Sequence, residues 1–162
     1  MFEIIPMEKA DSVLILPCLF QLLSDNMAKI APTGNTIEQD RQIWMEAIRP
    51  ALECQDRQIL LIKQSNNIIG FFQYSIDDTF FKMEEIQIAP EYWCSGAFQD
   101  LYRYLAQHIP NHIRWVEAYA NKQNSKSQGI LRHLGLEVIG ENKNGNSYHF
   151  RGDCQRMLAR YR

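Results

Sequence analysis

The chain has 162 residues, 46% of them hydrophobic and 22% charged, which suits one domain with a substantial core. Its net charge is −2 with acids and bases interspersed, so there is no basic stripe to hold nucleic acid, and its longest apolar run, Val13–Leu16, is too short to span a membrane. The N-terminal Met-Phe-Glu-Ile lacks the basic and apolar regions of a secretion signal, and Cys18, Cys54, Cys94 and Cys154 are widely spaced with no CxxC pair. They read as free thiols of a cytoplasmic protein rather than a disulfide or zinc framework.

Phe2 to Pro6 reads as a short strand. Asp11 and Ser12 are cap residues for a helix through Leu14, Leu16, Leu19, Phe20 and Leu23, in which Pro17 must sit in the first turn or bend the axis. Ala31 to Asn35 is a loop. Thr36-Ile-Glu-Gln39 has capping-box spacing and opens a helix with apolar residues at Ile43, Trp44, Ala47, Ile48, Ala51 and Leu52. The period then changes to that of strands. Gln58–Lys63 and Ile68–Ile76 form a hairpin around Ser65-Asn66-Asn67, and Asp77-Asp78 turns the chain into a strand from Phe80 to Ile88.

Ala89 to Gly96 is a loop of small residues with one proline, and from Ala97 the apolar positions take helical spacing up to Pro110. A strand leading through such a loop into a helix start is an anion site, because free N–H groups and the positive end of the helix dipole face it. Ile113–Ala120 is a strand. Asn124 or Ser125 caps a helix through Ile130, Leu131 and Leu134, which Gly135 ends, and Leu136–Gly140 and Ser147–Arg151 pair across a turn at Asn142–Asn146. A short basic helix closes the chain. Residues 1–162 thus form a single domain of order β-α-α-β-β-β-α-β-α-β-β. The fold class is α/β (α+β): a mixed sheet of about six to seven strands with helices on both faces and one parallel crossover.

That order, with a phosphate-type loop after the fourth strand, resembles the GNAT superfamily of acetyl-coenzyme A-dependent N-acetyltransferases, as a divergent member. The family's loop pattern, Gln/Arg-x-x-Gly-x-Gly/Ala, falls on Trp93-Cys94-Ser95-Gly96-Ala97-Phe98 and keeps Gly96, with Pro90-Glu91-Tyr92 before it and Leu101 after it. Asn124-Ser-Lys-Ser127 followed by a helix and Leu134-Gly135-Leu136 is similar to the family's Asn-x-x-Ala/Ser and Leu-Gly-Phe block. The resemblance implies acetyl-CoA as co-substrate and no metal. It implies coenzyme contacts from the N–H groups of Ser95, Gly96, Ala97 and Phe98, from the strand around Gln87 and Ile88, and from Asn124 and Ser127. Phe98 either shades the phosphate site or turns into the core.

In the family a carboxylate on the fourth strand often deprotonates the amine, directly or through water. Glu84 and Glu85 lie there; alternation sets them on opposite faces, so they cannot work as a pair, and Glu85, sharing a face with Gln87, is the preferred base. A solvated glutamate at the sheet rim is its competing role. The position of the family's acidic Tyr is Leu131, which has no proton to give; His133, Tyr148, Tyr119 and solvent are the alternatives. The implied activity is transfer of acetyl from acetyl-CoA to a primary amine of a small molecule or peptide by direct attack in a ternary complex. The departures at Trp93, Cys94, Phe98 and Leu131 point instead to a non-catalytic acyl-CoA-binding or regulatory module. Related folds also dimerise through a sheet edge, so a homodimer is compatible with the reading.

Overall fold

The structure is a computed structural model that describes residues 1–54 and 57–162. In chain order it contains β1 (Glu3–Pro6), α1 (Ser12–Met27), α2 (Ile37–Glu53), β2 (Gln58–Gln64), β3 (Asn67–Asp77), β4 (Phe80–Ile88) and α3 (Ala97–His108). There follow β5 (Trp115–Asn121), α4 (Ser125–His133), β6 (Glu137–Glu141), β7 (Ser147–Asp153) and α5 (Cys154–Ala159). This is the expected order, with α5 as the short C-terminal helix. The strands form one seven-stranded sheet, β1-β2-β3-β4-β5-β7-β6. All neighbours are antiparallel except β4 and β5.

Strands in the middle of the sheet are apolar on both faces because both faces are covered. Leu60, Ile62, Phe72, Phe81, Val116 and Phe150 pack with α3, α4 and α5 in the larger core. Ile59, Leu61 and Phe71, alternating with them, pack against Leu16, Leu19, Met45 and Ile48 of α1 and α2. The capping box is made at both ends: Thr36 Oγ1 accepts from the Gln39 N–H at 3.2 Å, and Gln39 Oε1 accepts from the Thr36 N–H at 2.8 Å. Gly70 allows β3 to lie against β4, since a Cβ there would stand 2.6 Å from the Gln87 carbonyl oxygen.

Two helix faces differ from expectation. Ile43 is 58% exposed and Ala47 is exposed, while Met45 and Ile48 are buried. Ile43 lies two residues from Met45, about 200° around the helix, so the two cannot share a face. Leu14 is likewise on the outer side of α1 at 78% exposure. Pro17 falls in the second turn of α1 on the exposed side, and the helix runs through it at the loss of one backbone bond. Among the described residues no helix is long and apolar enough to cross a membrane.

Candidate active site

The parallel pairing of β4 with β5 is short. It runs from Phe80 opposite Trp115 to Met83 opposite Ala118. Beyond that, β5 continues against β7 as far as Asn121, and β4 continues against β3 as far as Ile88. The two strands therefore part after Met83, and the β5-facing edge of Glu84–Ile88 has no strand partner. In a sheet such an opening leaves backbone donors and acceptors free for an extended ligand.

A β-bulge sits at the same place. Gln73 pairs with Glu85 and Tyr74 with Met83, so Glu84 is an extra residue on β4. The bulge interrupts alternation. Glu84 and Glu85 consequently line the same cavity, which corrects the expectation that they face opposite sides. Their surroundings differ. Glu84 accepts from Gln73 Nε2 at 2.8 Å and Ser75 Oγ at 2.7 Å, and pairs with Arg57 Nε at 2.7 Å. Glu85 accepts from Gln87 Nε2 at 2.7 Å, and Gln87 Oε1 in turn accepts from Asn26 Nδ2 at 2.9 Å. Burial pushes the Glu85 carboxyl up to about 7, and the Gln87 bond offsets this only in part.

The cavity has a volume of about 520 Å³. Trp44, Ala47 and Ile48 of α2 form one side; Glu117, Ala118 and Tyr119 of β5 form another, with Arg57, Gln73 and Lys82 completing it. Glu117 accepts from Arg151 Nε at 2.8 Å. The Tyr119 ring stacks on His149 with centroids 4.4 Å apart, and His149 Nε2 stands 3.6 Å from Glu117 Oε1. Tyr148 is half-buried on the opposite face of β7, packed against the larger core, and His133 is exposed at the end of α4. Of the alternative acids, only Tyr119 reaches this cavity.

The loop after β4 builds the other half of the site. Gly96 caps α3 with φ of +94°, a conformation that favours glycine, and a Cβ there would touch nothing within 4 Å. The first helical bond runs from the Asp100 N–H to the Gly96 oxygen at 3.0 Å, and no side chain caps the helix. The N–H groups of Ala97, Phe98 and Gln99 thus face the loop without helical acceptors. Ser95 is committed elsewhere: its N–H bonds the Tyr92 oxygen at 3.2 Å, and its hydroxyl bonds the same oxygen. Phe98 turns into the core, where it stacks on Tyr102 at 4.4 Å, and leaves the helix start open.

Trp93, which stands where the family carries Gln or Arg, donates its indole N–H to the Ile88 oxygen at 2.9 Å. Asn26 Nδ2 donates to the same oxygen at 3.1 Å. Lys126, in the first turn of α4, places Nζ 3.3 Å from the Trp93 ring centroid. A cation thereby comes to the mouth of the phosphate-type loop. A lysine in a first helical turn opposes the helix dipole, and that misfit was the sequence signal for it. Nothing comparable marked Asn26, Arg57 or Glu117. Asn124 caps α4, accepting from the Ser127 N–H at 3.1 Å, which leaves its amide nitrogen free to donate. Leu131 is buried in the larger core.

The acetyltransferase (GNAT) family model matches residues 19–136. The chain belongs to the acetyltransferase (GNAT) family. No curated protein matches it. Solved GNAT structures share its fold at low identity. The PaiA N-acetyltransferase of Thermoplasma acidophilum in complex with coenzyme A is 16% identical, with a TM-score of 0.72 over 94% of this chain and 99% of that one. An acetyltransferase from Thermus thermophilus is also 16% identical, with a TM-score of 0.68 over 94% and 97%. The spermidine N-acetyltransferase of Vibrio cholerae in complex with CoA and spermine is 14% identical, with a TM-score of 0.65 over 97% and 98%. In this GNAT chain β4 and β5 part after Met83, with Trp93 and Lys126 beside the loop and Glu84, Glu85 and Glu117 in the cavity.

Proposed function

We propose that the protein is an N-acetyltransferase that passes acetyl from acetyl-CoA directly to a primary amine, with Glu85 as general base. The observation that carries this reading is Glu85 itself: a carboxyl pushed up to about 7, in a cavity beside the point where β4 and β5 part. A base held near neutral pH accepts a proton from an ammonium group most effectively at that pH.

The coenzyme fits the residues at hand. The N–H groups of Ala97, Phe98 and Gln99 donate to a pyrophosphate at the α3 start, where Gly96 allows close approach and Lys126 adds a charge. When bound, acetyl-CoA supplies an acyl carbon activated as a thioester. The β5-facing edge of β4 around Gln87 and Ile88, where the Ile88 carbonyl is held by Trp93 and Asn26, would align the pantetheine arm, and a backbone N–H there would polarise the acyl oxygen. The Asn124 amide nitrogen donates to the same arm from α4. Glu85 removes a proton from the amine, and its link through Gln87 to Asn26 holds the carboxylate in place. Tyr119 or solvent returns a proton to the departing thiolate.

Titration calorimetry and thermal melts with acetyl-CoA test the binding step. At a hundredfold excess over Kd the ligand adds about 2.7 kcal/mol to the unfolding free energy. No heat and no stabilisation at millimolar acetyl-CoA would remove the reading. A non-catalytic acyl-CoA module is the second reading, favoured by buried Leu131 at the position of the family's Tyr and by the Ile88 carbonyl already bonded to Trp93 and Asn26. Coenzyme binding without thiol release across a broad amine panel selects it.

A further inference from the structure

Three carboxylates line the cavity, and two of them are already neutralised. Glu84 is held by Arg57, and Glu117 by Arg151. The cations are paired as well. Arg57 and Arg151 are in those pairs, and Lys82 at the rim is 3.2 Å from Asp77. Arg151 also lies over the rings of Phe80 and Trp115 at 5.3 and 5.8 Å, which fixes it against the sheet. Glu85, the carboxylate among these without a cation at hand, is the one assigned to the reacting amine. The rest of the wall is apolar or aromatic apart from Gln73, whose amide donates to Glu84: Trp44, Ala47 and Ile48 from α2, and Tyr119, 56% exposed, from β5.

We propose that the acceptor is a primary monoamine with an apolar or aromatic body, and that polyamines and amino acids are poor acceptors. The inference rests on the acetyl-transfer reading above and names its substrate class. A second ammonium group needs an unpaired carboxylate, and a substrate carboxylate needs an unpaired cation. Among the described cavity residues neither is present once Glu85 serves the reacting nitrogen. Breaking Glu84–Arg57 or Glu117–Arg151 to make one would leave a half-buried charge exposed to a poor environment. An apolar body requires no such exchange, because Trp44 and Tyr119 offer aromatic surface directly.

Thiol release from acetyl-CoA is measured with 2-phenylethylamine, L-phenylalanine and spermidine. The first two differ by one carboxylate, and spermidine adds two amines without an aromatic body. The expected kcat/KM for 2-phenylethylamine exceeds both others by at least about tenfold. R57Q frees Glu84 and shifts the spermidine-to-phenylethylamine ratio toward spermidine by about tenfold, with folding checked by thermal melt. If R57Q does not fold, the wild-type panel decides. Thiol release with spermidine or phenylalanine equal to or faster than with 2-phenylethylamine overturns the proposal while acetyl transfer stands. An unchanged ratio in folded R57Q overturns its charge argument. Coenzyme binding with no thiol release from any amine overturns the transfer reading, and this proposal with it.

Discussion

At Glu85 the carboxylate has one hydrogen-bond donor, Gln87, and no cation, whereas Glu84 one residue earlier has two hydrogen-bond donors and a guanidinium. That difference underlies the proposed roles, Glu84 as a structural carboxylate and Glu85 as the base. E85Q is expected to lower kcat/KM by about 100-fold or more in a thiol-release assay. In the wild type the rate should rise as pH passes through about 7, where Glu85 loses its proton, and E85Q should abolish that limb. Stability runs the other way. The folded carboxyl sits near 7 against 4.5 as its ordinary value, so between these pH values the native state binds more protons than the unfolded chain. Stability therefore falls as pH rises across that window and stays reduced above it. Urea unfolding at pH 8 should show E85Q more stable than wild type by about 1–3 kcal/mol, with the gap closing below about pH 5. An E85Q variant as active as wild type, or one whose stability gap over wild type is no larger at pH 8 than at pH 5, contradicts the assignment.

At the scale of elements, the decisive joint is β4, its loop and α3. Gly96 was legible in the sequence as the glycine the family's loop pattern keeps, between a proline-bearing loop and an apolar helical repeat. The structure gives it φ of +94°. G96E places a non-glycine residue in that region, at about 1 kcal/mol, and sets a negative charge where N–H groups converge. Acetyl-CoA affinity measured by calorimetry should fall at least about tenfold with secondary structure retained; an unchanged affinity would mean the coenzyme does not use this helix start. The fates of Ser95 and Phe98 were not legible. Whether the Ser95 N–H faces a ligand or the Tyr92 carbonyl depends on how the turn at Pro90–Tyr92 closes, and Phe98 turns inward because Tyr102, one helical turn on, offers a ring to stack on. The bulge at Glu84 was hidden for a similar reason. It is a mismatch between two strands, and the sequence of one strand does not display it.

For the whole molecule, the family match ends at residue 136, but the core does not. Phe150 of β7 and Cys154, Met157 and Leu158 of α5 are buried among residues from α3 and β5. β7 also lies between β5 and β6 in the sheet. A chain truncated after Leu136 would expose that apolar surface and leave β5 as an open edge. It is expected to show no cooperative thermal transition, whereas the full chain melts in a single one; a cooperative melt of the truncated chain would show that the core closes without β7 and α5.

What the sequence determined by itself is the order of elements, the caps and the position of the α3 start proposed to hold the pyrophosphate. These depend on periodicity and on residues such as Thr36, Gly96, Asn124 and Gly135, whose preferences act over a few neighbours. Only the tertiary structure decided which carboxylate is free. Glu84, Glu85 and Glu117 are equivalent as letters; Arg57, just before β2, and Arg151 of β7 come to two of them, and burial beside Gln87 raises the third. Charge and proton affinity depend on neighbours brought together across the sheet, and local sequence carries no record of those neighbours.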